Sequence, residues 1–123
     1  MNALLRTAVL IVVICVFGKA PASAQTTTVI PFTEAAQHVG QHVTVEGTVS
    51  KVFTSRNGNT FLDFGGAYPN ELFTGWIPRE SALSADPALW SLRGRRVKLT
   101  GIVELYRSKP EIKIVSADQL VLE

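Results

Sequence analysis

Two segments of this chain share one design, in which apolar residues alternate with polar ones around a central glycine. They span residues 40–49 and 94–103, and their matching positions lie at a constant shift of 54 residues. Alternation predicts β-strands with one buried face, and a glycine inside a long strand marks a bend or bulge. Two long, coiled strands favour a small sheet that closes on itself. The matching positions are Gly40, Val43, Val45, Gly47 and Val49 with Gly94, Val97, Leu99, Gly101 and Val103.

Three further strands are predicted at residues 60–64, 72–77 and 111–115, with an extension at 119–122. Two short helices are predicted as well. One is TEAAQHVG, residues 33–40, which Thr33 can cap and Gly40 can end. The other is DPALWSLRG, residues 86–94, with Asp86 as N-cap and Pro87 at the first helical position.

In that second helix we expect Leu89 and Leu92 to face the core, and Trp90 to face it in part.

Five strands with a helix between the third and fourth is the order of the OB-fold, a partly open barrel. We therefore predict a mainly β protein, a five-stranded OB-fold barrel with this short helix and a short N-terminal one.

Residues 1–24 have the parts of a secretory signal peptide. Arg6 provides the positively charged N-terminal region of such a peptide. Residues 8–17 form an apolar run that is shorter than the roughly 20 residues needed to span a bilayer. Small residues precede a predicted cut after Ala24. We expect a periplasmic or secreted protein without stable membrane insertion, with a lead at residues 25–34 and an OB-fold domain at 35–123. An uncleaved membrane anchor is the alternative.

Removing the leader changes the charge and the redox chemistry of the chain. The one cysteine, Cys15, leaves with it, so that the mature protein has neither disulfides nor thiolate chemistry. Arg6 and Lys19 leave too, and ten basic residues then balance ten acidic ones. The distribution is uneven, because residues 93–113 hold seven basic residues and two acidic ones. Only this local excess favours an anionic partner.

The chain resembles the secreted bacterial OB-fold proteins of the nucleic-acid-binding type. HVGQHVTVEGTVSKVF (38–53), SRNGNTFLDFGGAYPN (55–70), FTGWI (73–77) and LRGRRVKLTGIVELYRSKPEIKI (92–114) carry the resemblance, which covers about residues 35–115. It implies a single-domain barrel that binds nucleic acid or another elongated polar ligand.

In an OB-fold the ligand crosses the second and third strands, between the loops that join strands one to two and four to five. Here we expect Arg56, Arg107 and Lys109 in those loops to contact phosphates, with Lys51 and Lys113 adding charge. Aromatic rings on which bases can stack complete such a site. The predicted stacking residues are Phe61, Trp76 and Tyr106. If Leu62 and Phe64 point into the barrel, alternation places Phe61 and Asp63 outside. On the third strand alternation leaves open whether the face of Leu72, Thr74 and Trp76 or that of Phe73, Gly75 and Ile77 is inside, and we expect Phe73 and Ile77 in the core.

A metal or catalytic site is not predicted. His38 and His42 are four residues apart, but Gly40 between them ends the helix that would align them. No two acidic residues after the leader lie within four positions, so the aspartate cluster of calcium-dependent nucleases is missing. Glu104 and Glu111 are expected to pair with Arg107 and Lys109.

Two hypotheses about function stay open. The first is a non-enzymatic module, without a cofactor, that binds single-stranded DNA or RNA as a monomer or weak oligomer. The second is an envelope protein-interaction or stress-related module that binds a peptide, a glycan or a partner protein. In the second case the basic loops are solvated surface, and the aromatic residues fill a small barrel.

Overall fold

The structure, a computed structural model, describes residues 27–123. The predicted leader and its cleavage site lie outside the described residues. Within them, no helix has the length and apolar character needed to cross a membrane. The described residues form seven strands and four short 3-10 helices. The strands are β1 (Val29–Pro31), β2 (His42–Thr54), β3 (Thr60–Phe64), β4 (Phe73–Ile77), β5 (Arg96–Tyr106), β6 (Lys109–Lys113) and β7 (Leu120–Leu122), and the 3-10 helices are Phe32–His38, Ala82–Ala85, Pro87–Leu92 and Ala117–Gln119.

Five of the strands close into a barrel. The long strand β2 pairs antiparallel with β5 along its first half and with β3 along its second half. β3 pairs antiparallel with β4, β4 pairs parallel with β6, and β6 pairs antiparallel with β5. The ring is therefore complete, and the predicted five-stranded OB-fold barrel is confirmed. β1 and β7 extend the sheet outside it, on β2 and β5 respectively.

The glycine-centred repeat forms the seam of the barrel, since β2 and β5 pair with Val45 directly opposite Leu99. Gly40 N–H donates to Val103 O at 2.8 Å, and Gly94 N–H donates to Val49 O at 2.8 Å. These two bonds join equivalent positions of the repeat. A local two-fold axis therefore relates the two segments.

The central glycines make room for neighbouring side chains. A Cβ on Gly47 would lie 2.5 Å from the ring of Phe32, and one on Gly101 would lie 2.7 Å from Ile112 Cγ2. The bulge predicted near Gly47 lies slightly further on, because the register between β2 and β3 shifts between Val49 and Lys51.

The hydrophobic core fills the barrel. The predicted core positions Leu62, Phe64, Phe73 and Ile77 are fully buried. Leu89 and Leu92 are buried as well, and Asp86 caps their helix by accepting a hydrogen bond from Ala88 N–H at 2.9 Å. Trp90 is 58% exposed, so the expectation that it partly faces the core is wrong. In this 3-10 helix of two turns, Leu89 and Leu92 are the buried residues that contact the barrel.

Three local features differ from the prediction. The polar lead contributes a strand, β1, whose Ile30 is buried against the barrel. The first helix has no side-chain cap at Thr33, because its N-cap is Pro31. The last barrel strand runs over Lys109–Lys113 and not 111–115, since the β5–β6 turn takes only two residues.

Candidate functional site

A cleft of about 360 Å³ lies on the outer face of β2, β3, β4 and β6. The β5–β6 turn and the loop of residues 65–72 both contribute to its lining. A smaller recess of about 180 Å³ adjoins it and is lined by Asn59, Phe61, Trp76, Tyr106 and Glu111. The main cleft is lined by Lys51, Phe53, Phe61, Asp63, Tyr68, Glu71, Thr74, Tyr106, Arg107, Lys109, Pro110 and Glu111.

Strand register arranges the face of this cleft in two rows that run across the strands. The first row, called the aromatic row, consists of three aromatic residues and a lysine at its end. These are Phe53, Phe61, Trp76 and Lys113, which are direct partners on β2, β3, β4 and β6. The polar row consists of Lys51, Asp63, Thr74, Glu111 and Glu104, partners on the same strands and on β5. Each row is two residues from the other along every shared strand, so both rows lie on one face.

The aromatic row places rings next to cations. The rings of Phe53 and Phe61 stack with centroids 6.4 Å apart and an interplanar angle of 25°. Lys113 Nζ lies 5.1 Å from the centroid of the Trp76 ring, a cation–π contact. Phe53 is 48% exposed. Phe53 was not predicted to bind a ligand, although it follows directly on the alternating strand that begins at Val43.

The β5–β6 turn adds a second pair of aromatic and cationic groups. Arg107 and Ser108 have positive φ angles of 52° and 70°, which only glycine and asparagine adopt with ease. This left-handed turn places the Arg107 guanidinium 5.2 Å from the centroid of the Tyr106 ring. Tyr106 is 57% exposed, and both residues line the main cleft.

Lys109 has an ion-pair partner that the sequence did not indicate. Its ammonium donates to Glu71 Oε1 at 3.0 Å and to the Pro69 carbonyl. Glu71 is buried, with 9% of its side chain exposed. Lys109 thus connects the β5–β6 turn to the loop of residues 65–72. The predicted pairing of Glu104 and Glu111 with Arg107 and Lys109 is wrong, because register places the two glutamates opposite each other.

Three carboxylates lie in the cleft beside the basic groups. Asp63 is 4% exposed, and burial, with a smaller contribution from the charge of Glu71, raises the pKa of its carboxyl. Burial and the facing Glu104 likewise raise the pKa of Glu111. Among residues 27–123, Asp63 has no ion pair, and Thr74 Oγ1 donates to its Oδ1 at 3.4 Å. The cleft therefore has acidic groups in its floor and basic groups at its edges.

Seven of the eight predicted binding residues lie on this face. Lys51, Phe61, Tyr106, Arg107 and Lys109 line the main cleft. Trp76 lines the recess, with Lys113 over its ring. Arg56 is exposed in the β2–β3 loop and lines neither cavity. The cleft residues that were not predicted to bind a ligand are Phe53, Asp63, Tyr68, Glu71, Thr74, Pro110 and Glu111.

The part of the chain that the structure describes has no group of three or more histidine, cysteine, aspartate or glutamate residues that could hold a metal ion. His38 Nδ1 lies 2.9 Å from Gln41 Oε1, a contact within its own turn.

Comparison with known proteins identifies the fold. No protein-family model matches the chain, and neither does any curated protein. Among solved structures, an aspartyl-tRNA synthetase from Entamoeba histolytica is 14% identical, with a TM-score of 0.54, and the match covers 98% of this chain and 27% of that one. An aspartyl-tRNA synthetase from Leishmania major Friedlin is also 14% identical, with a TM-score of 0.51, over 80% of this chain and 21% of that one. The chain thus spans about a quarter of the length of these enzymes.

Proposed function

We propose that this protein is a non-enzymatic OB-fold module that binds single-stranded nucleic acid across the aromatic row. The observation that carries the proposal is the register of Phe53, Phe61 and Trp76 on three adjacent strands. Successive bases of a strand that crosses the sheet can stack on such a series of rings, whatever their sequence. The similarity in fold to two aspartyl-tRNA synthetases, enzymes whose name specifies a nucleic acid, supports this class of ligand.

The charges around the aromatic row indicate how the phosphate backbone of the nucleic acid would be bound. Lys51 and Lys113 stand beside the rings of Phe53 and Trp76, and Arg107 stands over Tyr106. These three cations are the proposed phosphate contacts. Lys109 already pairs with Glu71, and Arg56 lies outside the cleft, so both contribute less than the sequence suggested.

Affinity should therefore come more from stacking than from charge. Each phosphate contact contributes about −0.7 to the slope of log K against log salt concentration for single strands. Two to three contacts predict a slope of about −1.4 to −2.1. A slope several times steeper would mean that binding is mainly electrostatic and does not use the aromatic row.

The test is fluorescence anisotropy with labelled DNA and RNA of about 12 nucleotides, at several salt concentrations. Phe53→Ala and Tyr106→Ala should each weaken binding by about 1–3 kcal/mol, the contribution of one stacked base. Trp90→Ala is the matched control, because Trp90 is as exposed as Tyr106 but lies outside the cleft. Absence of binding at about 50 mM salt, or equal losses in all three variants, would refute the proposal.

A second candidate is an envelope module for a glycan, a peptide or a partner protein. The carboxylates Asp63, Glu71 and Glu111 in the cleft favour it, because they repel phosphate and accept hydrogen bonds from hydroxyl or amino groups. Retention of envelope components by the mature protein after nuclease treatment, without affinity for oligonucleotides, would support this candidate over the first.

We also propose export, with a mature protein that begins at Gln25. N-terminal sequencing of protein recovered from a periplasmic fraction or the medium tests the cut after Ala24. Sedimentation of that material tests the proposed monomer or weak oligomer.

A further inference from the structure

The polar row next to the aromatic row has a composition that the stacking function does not explain. Asp63, Thr74 and Glu111 occupy its centre, on three adjacent strands. Neighbouring residues on one face of a strand are about 6.7 Å apart, so the polar row lies about one base width from the rings. A base stacked on the aromatic row therefore has its hydrogen-bonding edge next to these side chains.

Most groups at the centre of the polar row accept hydrogen bonds. An ionised carboxylate accepts and does not donate. Thr74 directs its hydroxyl hydrogen to Asp63 Oδ1 and so presents lone pairs to the cleft. Lys51, the one donor with a positive charge in the row, stands at its end on β2.

Asp63 has acceptor capacity that the protein itself does not use. The carboxylate receives a long hydrogen bond from Thr74, and the nearby backbone of Tyr68 acts to lower its pKa, whereas two carboxylate oxygens can accept about four hydrogen bonds. In the described residues no basic side chain forms an ion pair with it, although it is 4% exposed and lines the cleft. A buried carboxylate gains most from a ligand that brings donors.

We infer that Asp63 and Glu111 contact base edges and select bases that present an exocyclic amino group. This inference rests on the proposed binding of single-stranded nucleic acid. Cytosine, adenine and guanine carry such donors, whereas uracil and thymine present a carbonyl oxygen where cytosine has its amino group. A carbonyl facing a carboxylate brings two acceptors together and leaves both unpaired.

Cytosine and uracil provide the sharpest comparison, because their shapes and backbones match. Labelled oligomers of deoxycytidine and deoxyuridine of about 12 nucleotides are titrated with the protein at about pH 7.5. We expect the deoxycytidine oligomer to bind about tenfold more tightly, the effect of one hydrogen bond to a charged group.

Two variants separate recognition of the base edge from simple repulsion of phosphate. Asp63→Asn keeps the shape of the side chain but adds a hydrogen-bond donor. It should bring the ratio of the affinities for the deoxycytidine and deoxyuridine oligomers close to one, mainly because the deoxyuridine oligomer binds more tightly. Glu104→Gln removes the same charge from an exposed position on β5 that does not line the cleft. It should strengthen the binding of both oligomers equally and leave the ratio unchanged.

Glu111→Gln is the second test variant and is needed if Asp63→Asn does not fold. An affinity ratio near one in the unmodified protein would overturn this inference and leave the proposed function intact. The same conclusion would follow if Asp63→Asn and Glu111→Gln both preserved the preference. Failure to bind either oligomer would overturn the proposed function itself.

Discussion

Lys109→Ala should destabilise the protein even though it removes an exposed surface charge. Lys109 is 36% exposed, but its partner Glu71 is 9% exposed and would be left without an opposite charge. Hydrogen bonds to charged groups contribute about 1.5–3 kcal/mol to stability. Water can reach the vacated position, so we expect a loss in the lower half of that range, about 1.5–2 kcal/mol.

Thermal unfolding followed by circular dichroism measures this loss. For a domain of this size, 1 kcal/mol shifts Tm by about 4–8 °C, which predicts a decrease of about 6–16 °C for Lys109→Ala. Arg107→Ala is the matched control, because the guanidinium contacts the exposed ring of Tyr106 and its removal should change the free energy of unfolding by less than about 0.5 kcal/mol.

Adding Glu71→Gln to Lys109→Ala should restore part of the stability, since the uncompensated carboxylate is then gone. If Lys109→Ala and Arg107→Ala unfold at the same temperature, the ion pair does not hold the two loops together and the reasoning is refuted.

Three further predictions concern the barrel and the cleft. Gly101→Ala should cost about 1–3 kcal/mol in urea unfolding, because its Cβ would lie 2.7 Å from Ile112 Cγ2. Ser50→Ala should cost about 1 kcal/mol and speed hydrogen exchange of the Gly66 amide, which donates to Ser50 Oγ at 3.2 Å; unchanged exchange would contradict this. Burial raises the pKa of Asp63 above 3.8, so its ionisation opposes folding and stability falls as pH rises through the interval between the unfolded and folded pKa values. Asp63→Asn should therefore be more stable than the unmodified protein at about pH 7, with a difference that vanishes at about pH 3; parallel Tm profiles would argue against it.

The fold could be predicted because its main signals are local. Alternation around Gly47 and Gly101 specifies long, bent strands, and Asp86 with Pro87 specifies the start of a short helix. Trp90 was assigned wrongly because a large apolar side chain on a short helix has no periodicity that distinguishes the core from solvent.

The candidate site was predictable only in part. Basic and aromatic residues in the expected loops pointed to most of the cleft. The composition of the polar row depends on which residues lie opposite one another, and strand register is not visible in composition. The pairing of Lys109 with Glu71 joins residues 38 positions apart and has no local signal.

The two-fold seam between β2 and β5 also bears on how the barrel forms. The hairpins β2–β3 and β5–β6 are local, whereas the seam joins segments 54 residues apart in the chain. Closing a loop of that length costs about 3.5 kcal/mol in chain entropy beyond a constant term. The equivalent hydrogen bonds donated by Gly40 and Gly94 lie at the two ends of the seam. A shift in the register between β2 and β5 would therefore break both hydrogen bonds at once. Closure of the barrel should therefore be a single cooperative step, with the joining of the two halves as the late, rate-limiting event of folding.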